Sequence, residues 1–354
     1  MRIDRQQAFS GTTASDIDAA GLEAYLAQHI DGFTGPLTLA RFKGGQSNPT
    51  YKLTTPTRSY VLRRKPFGKL LPSAHAIERE YRVTEALAQA GFPAARPLHL
   101  CADDSIIGAP FYVMEHAAGR VFWEPHAQGL SGQERAALFD SLNSTIAQLH
   151  GFDPATLGLG DFGRPQGYVA RQIKRWSEQY RASETETIPE MDGLIAWLPG
   201  VCPADSGGTI VHGDFRLDNC IVHPTEPRII AVLDWELSTL GDPLADFTYH
   251  LMQWSMPVSE AGAGVGSLLG HEDAAGLPAI DDYIARYCRR TGRRGIPDLD
   301  VYMAYNFFRL AAILQGILGR VRDGTAANAQ AAAMAQQVKP LARTAWSFAR
   351  KAGA

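Results

Sequence analysis

Apolar and polar residues alternate with a period of two in several short runs near the start of the chain, and that spacing predicts β-strands. Leu37–Phe42, Thr50–Thr54 and Tyr60–Lys65 are three such runs, each with β-branched or aromatic side chains. Lys43–Pro49, with adjacent glycines, forms the turn between the first two. Residues 75–90 shift to a helical composition, which Gly91 and Pro93 stop. Leu98–Cys101 and Pro110–Glu115 read as two further strands. A leading segment, residues 1–35, holds one short helix around Leu22–Ile30. Beyond Gly119 the period becomes helical, over 131–150, 167–183, 190–198, 243–254, 275–291, 298–321 and 325–350. The last of these begins in an Ala-rich stretch, Ala326–Ala335, a strong helix former. A β-rich island interrupts the helices at 209–234, and no internal repeat is present. The pattern predicts an α+β, bilobal architecture. A β-rich lobe spans residues 1–116, and a larger, mainly helical lobe spans 117–354.

Composition narrows the classes of function. The 354 residues are 45% apolar and 20% charged, ordinary globular values that exclude a disordered chain. A net charge of -3 argues against a nucleic-acid partner, which would call for a basic excess. The richest apolar stretch, Leu310–Leu318, is short and contains Gln315, so no membrane association is expected. Charged residues at Arg2, Asp4 and Arg5 are followed by no apolar core, which predicts no signal peptide and a cytoplasmic protein. Cys101, Cys202, Cys220 and Cys288 form no CxxC pair, so zinc-knuckle and dithiol redox chemistry is not expected.

The island holds the residues most suggestive of chemistry. Asp214 and Asn219 lie five apart on one loop after the apolar strand that ends at Val211, so their side chains can converge. Asp234 follows a second apolar strand, Ile229–Leu233, which can bring it beside them. Phosphoryl transfer from ATP needs a carboxylate near the acceptor hydroxyl, with an Asn and an Asp on Mg2+. Taken singly, Asp214 and Asp218 read better as turn residues and Asp234 as a helix cap than as catalytic groups. The joint pattern, in a strand-loop-strand setting, is much harder to obtain from turn chemistry alone.

His212-Gly213-Asp214 with Asn219, followed by Leu233-Asp234-Trp235-Glu236 and by Gly241-Asp242-Pro243 with Asp246, resembles the aminoglycoside phosphotransferase family. That family is a branch of the protein-kinase-like fold that includes choline and other small-molecule kinases. The resemblance implies ATP and Mg2+ as cofactors, Asp214 as catalytic base, and Asn219 and Asp234 as magnesium ligands. It makes His212 a hydrogen-bonding buttress of the loop. Asp218, Asp242 and Asp246 become structural supports, by helix capping or by fixing the loop.

The same resemblance orders the first lobe. Strand alternation puts Val61, Arg63 and Lys65 on one face. Val61 then stands against adenine, and Arg63 occupies the place of the phosphate-binding lysine, a role left open between Arg63 and Lys65. Glu80, or next to it Glu78, is the helix carboxylate that orients this cation. Gly45 and Ser47 belong to the phosphate-covering loop. Phe111–Ala117 resembles the hinge, with Met114 at its gatekeeper end and backbone groups near Glu115 and Ala117 for adenine.

A narrower resemblance extends over nearly the whole chain. It rests on Tyr60–Pro66, Leu71–His75, Arg171–Trp176, His212–Asn219, Ala231–Asp246 and Phe308–Ile313 with Arg320. These look like kinase-like domains that occur alone in bacteria and fused to acyl-CoA dehydrogenases in animals. The implied acceptor is a hydroxyl on an acyl chain, foremost 4-hydroxyacyl-CoA. Charge agrees with an anionic acceptor, since residues 251–354 carry 12 Lys+Arg against 8 Asp+Glu, a local +4. Arg309, Arg320 and Tyr305 on one helix are the expected acceptor contacts, and the run Arg289–Arg294 is expected only to solubilise the surface. Two other functions fit the same residues: a nucleotide-binding pseudokinase scaffold, and a kinase for an aminoglycoside, choline-like or sugar acceptor.

Overall fold

A computed structural model describes residues 17–42, 48–67, 76–258, 266–323 and 336–354. The chain divides into two compact units, Met1–Gly119 with Ile230–Glu236, and Arg120–Ile229 with Leu237–Ala354. The segment that carries Asp234 therefore belongs to the first unit, although the helical part of the sequence surrounds it.

The first unit is a five-stranded antiparallel sheet in the order β1-β2-β3-β5-β4. Its strands are β1 (Thr38–Arg41), β2 (Thr50–Thr54), β3 (Ser59–Arg64), β4 (Pro97–Cys101) and β5 (Phe111–Glu115). Because side chains alternate across a strand, Tyr51, Leu53, Tyr60, Leu62, Phe111 and Val113 share one face. That face is buried against helix α1 (Ala19–His29) through Leu22 and Leu26, with Ile30 and Phe33 behind it. The described part of the leading segment, from residue 17 on, is thus part of a core, and Asp18 caps α1 by accepting the Ala20 N–H at 3.1 Å. Helix α2 (Ile77–Gln89) packs near β4 and β5 and buries Ile77, Glu80, Val83, Thr84 and Leu87. Ile230–Glu236 joins this unit through the Val232 N–H, which donates to the Pro93 carbonyl at 2.8 Å. The Trp235 ring meets Phe92 edge-on at 5.7 Å.

In the second unit, helix α8 (Leu299–Arg322) is the central element, flanked by α4 (Tyr168–Ser183), α6 (Pro243–Leu251) and α9 (Val338–Lys351). Its 24 residues are long and apolar enough to cross a membrane by composition, unlike the expectation from the shorter run Leu310–Leu318, yet 83% of the apolar window is buried inside the protein. Helix α3 (Gly132–His150) starts at a capping box, with Ser131 and Glu134 each accepting or donating across the first turn. It pairs with α7 (Ile280–Arg290), while α5 (Pro189–Trp197) lies against α9. The island resolves into β6 (Thr209–Val211), β7 (Cys220–Val222) and β8 (Ile229–Val232), the last of which belongs to the first unit from Ile230 on. A fourth strand, β9 (Thr239–Gly241), pairs with β6 in the register Ile210↔Leu240 and was not expected, because three residues give no readable period. The helix expected from 275 begins only at Ile280, after Pro278, and the Ala-rich start of the last one lies outside the described residues.

Leu26→Ala tests the place of α1 in the first unit. Leu26 is fully buried. The expected loss is about 2–5 kcal/mol by denaturant unfolding, and a loss below a few tenths of that would contradict the packing.

Candidate active site

Two clusters of polar residues, one in each unit, gather most of the side chains singled out from sequence. In the first unit Arg63 projects from β3 toward Glu80 on α2, with its Nε 2.9 Å from Glu80 Oε2. Its Nη2 lies 3.0 Å from Asp234 Oδ1 and 3.6 Å from Glu236 Oε2. Glu80 is held further by the Asn48 side-chain amide at 2.9 Å and the Tyr112 hydroxyl at 3.2 Å. The side chains of Arg63 and Glu80 are 11% and 3% exposed, whereas Asp234 and Glu236 are 38% and 31% exposed, so the cluster has a closed and an open side. Burial pushes the Glu80 carboxyl up to about 7, against the pull of Arg63 and with help from the charges of Asp234 and Glu236. Asp234 has φ +63°, the left-handed region that side chains with a Cβ rarely occupy.

Lys65 does not share this cluster. It follows the last residue of β3, so the strand's alternation no longer holds it on the face of Arg63. Its ammonium pairs instead with Glu78 at 2.5 Å in the first turn of α2. Arg63 with Glu80 and Lys65 with Glu78 thus form two separate ion pairs. Val61 is buried and stands opposite Met114 in the β3-β5 register. The Glu115 N–H donates to the Arg96 carbonyl at 2.9 Å, so that donor is already engaged by the sheet. Its carboxylate takes Arg96 Nη2 at 2.7 Å. Ala117 lies just beyond β5 and is partly exposed. Gly45 and Ser47 lie outside the described residues.

In the second unit the loop after β6 is built around a buried carboxylate. Asp246 on α6 accepts the backbone N–H groups of His212 and Gly213, each at 2.8 Å. Its Oδ2 also lies 3.1 Å from His150 Nε2. Burial alone would raise the Asp246 pKa, but His150 and the His212 amide outweigh it and hold the carboxyl below its usual range. Gly213 has φ +84°, and a Cβ there would come within 3.0 Å of the Leu237 backbone oxygen, so both strain and space favour glycine. His212 is fully buried, and its Nδ1 accepts the Asp214 N–H at 3.2 Å.

This loop presents Asp214 with four donors. Oδ1 accepts from Arg216 Nε at 3.0 Å and from the Tyr249 hydroxyl at 2.6 Å. Oδ2 accepts from Arg216 Nη2 at 3.3 Å and from Asn219 Nδ2 at 3.0 Å. Arg216 also reaches Asp218 at 3.2 Å. The expected convergence of Asp214 and Asn219 is therefore direct. Arg216 stands inside the motif and could have been suspected from its neighbours. Tyr249, 35 residues away on α6, has no local signal, and neither do Asn48 and Tyr112 beside Glu80.

The expected acceptor contacts are placed differently. Arg309 is only 7% exposed, and its Nη2 donates to the Gly213 carbonyl at 3.2 Å, with its guanidinium 5.2 Å from the Tyr249 ring centre. It supports the loop from behind. Tyr305 is fully buried. Arg320 is exposed near the end of α8, and eleven residues of helix separate it from Arg309 by about 16 Å, so sharing a face does not give them a common ligand. Asp242 caps α6 by accepting the Leu244 and Ala245 N–H groups at 2.8 and 3.3 Å, and it takes the Tyr302 hydroxyl at 2.8 Å. Capping thus belongs to Asp242 and loop fixation to Asp246.

Comparison with known proteins places this arrangement. The model of the phosphotransferase enzyme family (APH) matches residues 38–305. Acyl-CoA dehydrogenase family member 10 of Mus musculus is 45% identical over 324 residues, covering 90% of this chain; the chain spans 30% of that relative's length. A crystal structure from Ralstonia eutropha, of a protein provisionally named as an aminoglycoside phosphotransferase, is 48% identical, with a TM-score of 0.85 over 95% of this chain and 99% of the other. An aminoglycoside phosphotransferase crystallised with ADP and hygromycin B shares the fold, with a TM-score of 0.60 at 16% identity over 94% of this chain and 99% of the other. The chain belongs to the phosphotransferase enzyme family and has a kinase-like α+β fold.

Proposed function

We propose that the protein is an ATP- and Mg2+-dependent kinase that transfers the γ-phosphoryl group to a hydroxyl of a small molecule, with 4-hydroxyacyl-CoA as the leading acceptor. The observation that carries this reading is the pinned Asp214, whose oxygens are fixed by Arg216, Tyr249 and Asn219 on a loop that Asp246 holds. Phosphoryl transfer depends on positioning and charge more than on covalent chemistry, and a carboxylate so restrained is suited to orient an acceptor hydroxyl for in-line attack. An acceptor hydroxyl that donates to Asp214 must take the place of one of the four donors.

Nucleotide use is supported by the relative crystallised with ADP. In this chain Arg63 is the cation suited to phosphate, since Glu80 and its partners hold it in one orientation. The donor set fits Mg2+, which takes hard oxygen ligands. One guanidinium faces three carboxyl groups at Arg63, an excess of negative charge that a dication would balance. Asp234 has one oxygen on Arg63 and can offer the other. Asn219 has its amide nitrogen on Asp214 and can offer its oxygen. A magnesium ion held by either group would neutralise phosphate charge.

Two features favour an acyl acceptor over a polycation. Relatives carry this region within polypeptides named as acyl-CoA dehydrogenases. Leu237, which packs on Gly213 next to Asp214, is 48% exposed and offers an apolar contact rather than carboxylates.

Four outcomes are expected. Asp214→Asn keeps nucleotide binding by calorimetry and lowers turnover on the order of 10²–10⁴-fold. In a screen of ADP release, 4-hydroxyacyl-CoA exceeds kanamycin and choline, and the reverse order would defeat the acceptor assignment. Tyr249→Phe lowers kcat about tenfold with little change in KM for ATP, because what it removes is a donor to Asp214. Glu80 gives a pH signature. Its folded-state pKa of about 7 lies above the usual 4.5, so its stabilising proton is fully present below about 4.5 and lost as pH rises through 7. The ionised form, which grips Arg63, prevails above 7. Raising pH from about 6 to about 8 should therefore lower the melting temperature and strengthen nucleotide binding, and Glu80→Gln should flatten both trends.

A further inference from the structure

A cavity of ≈ 290 Å³ on the second unit is lined by Asp140 of α3 and by Arg286, Arg289 and Arg290 of α7. Spacings of three and four residues put the three arginines on one helical face. Asp140 holds two of them, one on each oxygen, with Arg286 Nη1 at 3.6 Å from Oδ1 and Arg290 Nη2 at 2.8 Å from Oδ2. Arg290 Nη1 also donates to Asn143 Oδ1 at 2.7 Å, and Asn143 is fully buried with its own amide on the Tyr283 carbonyl at 2.9 Å. Arg290 is thus tethered from two sides before any ligand arrives. Arg289 has no carboxylate partner among the described residues.

Three guanidiniums against one carboxylate leave this cavity at a formal +2. A place in the last turn of α7 accounts for Arg289 and Arg290, since cations there answer the negative end of the helix dipole. It does not account for Arg286, a turn earlier, nor for the convergence of all three on one concavity around a single aspartate. Planar guanidiniums held in fixed orientations match the oxygens of a phosphate group, often two at a time.

We propose that this cavity binds a phosphate monoester or diphosphate group, at a site apart from the catalytic loop. The group could be part of a nucleotide-bearing acceptor or belong to a free phosphorylated metabolite, and the chemistry of recognition is the same. The assignment does not depend on the kinase reading.

Calorimetric titration of the full chain with inorganic pyrophosphate tests it. The wild type should bind saturably, with affinity that falls as salt rises. The double variant Arg286→Ala/Arg289→Ala should bind about tenfold more weakly or worse, with its melting temperature unchanged because neither side chain is in the core. Asp140→Asn, which removes the opposing charge, should bind more tightly. Arg63→Met, which removes the phosphate cation of the first unit, should leave intact the binding component that the double variant loses. Preference for adenosine 3′,5′-bisphosphate over inorganic phosphate would assign the group to a nucleotide, and equal binding to a free metabolite. Absence of saturable binding, wild-type affinity in the double variant, weaker binding in Asp140→Asn, or loss of that component in Arg63→Met would each overturn the site.

Discussion

Asp246 accepts two successive backbone N–H groups, those of His212 and Gly213, and does so while fully buried among groups that keep it ionised. A buried carboxylate without such donors would cost several kcal/mol. Here the cost is offset by the loop itself, which can satisfy Asp246 only in one backbone conformation, with Gly213 at positive φ. That conformation sets Asp214 on the loop after β6, where Arg216, Tyr249 and Asn219 converge on it. Behind the loop, Arg309 completes the support at the Gly213 carbonyl. The His150 ring passes the restraint outward, since its Nδ1 lies 2.7 Å from the Tyr287 hydroxyl of α7.

The first unit solves a different problem with the same economy of groups. A single arginine is shared by a buried glutamate and by two partly exposed carboxylates. The buried partner fixes its direction, and the exposed ones leave negative charge on the open side. An Arg in this position keeps its charge at any pH, where a lysine under the same burial could lose it. Lys65, one residue past the end of β3, is free of that constraint and pairs near the surface.

Legibility from sequence followed the range of the interaction. All five strands and both helices of the first unit announce themselves through periodicity and stop signals, and so do the long helices of the second. The Asp214-Asn219 pairing was readable because both residues lie on one short loop. β9 was not, because a three-residue strand has no period. The local +4 charge and a face shared with Tyr305 point to Arg309 as an acceptor contact; its burial with a partner agrees with its apolar sequence neighbours, but that partner is the Gly213 carbonyl, distant in sequence. Arg320 was grouped with it by helical phase, which reports direction around an axis and not distance along it.

By itself the sequence determined the α+β division, the hydrogen-bonding residue types at the HGD and DWE motifs, and the family they resemble, since these rest on local period and on chemistry within a few residues. The tertiary structure decided which cation meets which carboxylate, that Tyr249 and Arg216 complete the partners of Asp214, that α1 belongs to a core, and that three arginines of α7 line one concavity with Asp140. Each of those depends on side chains brought together from separate elements. Charge and hydrogen-bond geometry select partners by distances of about 3 Å, and spacing along the chain does not encode them.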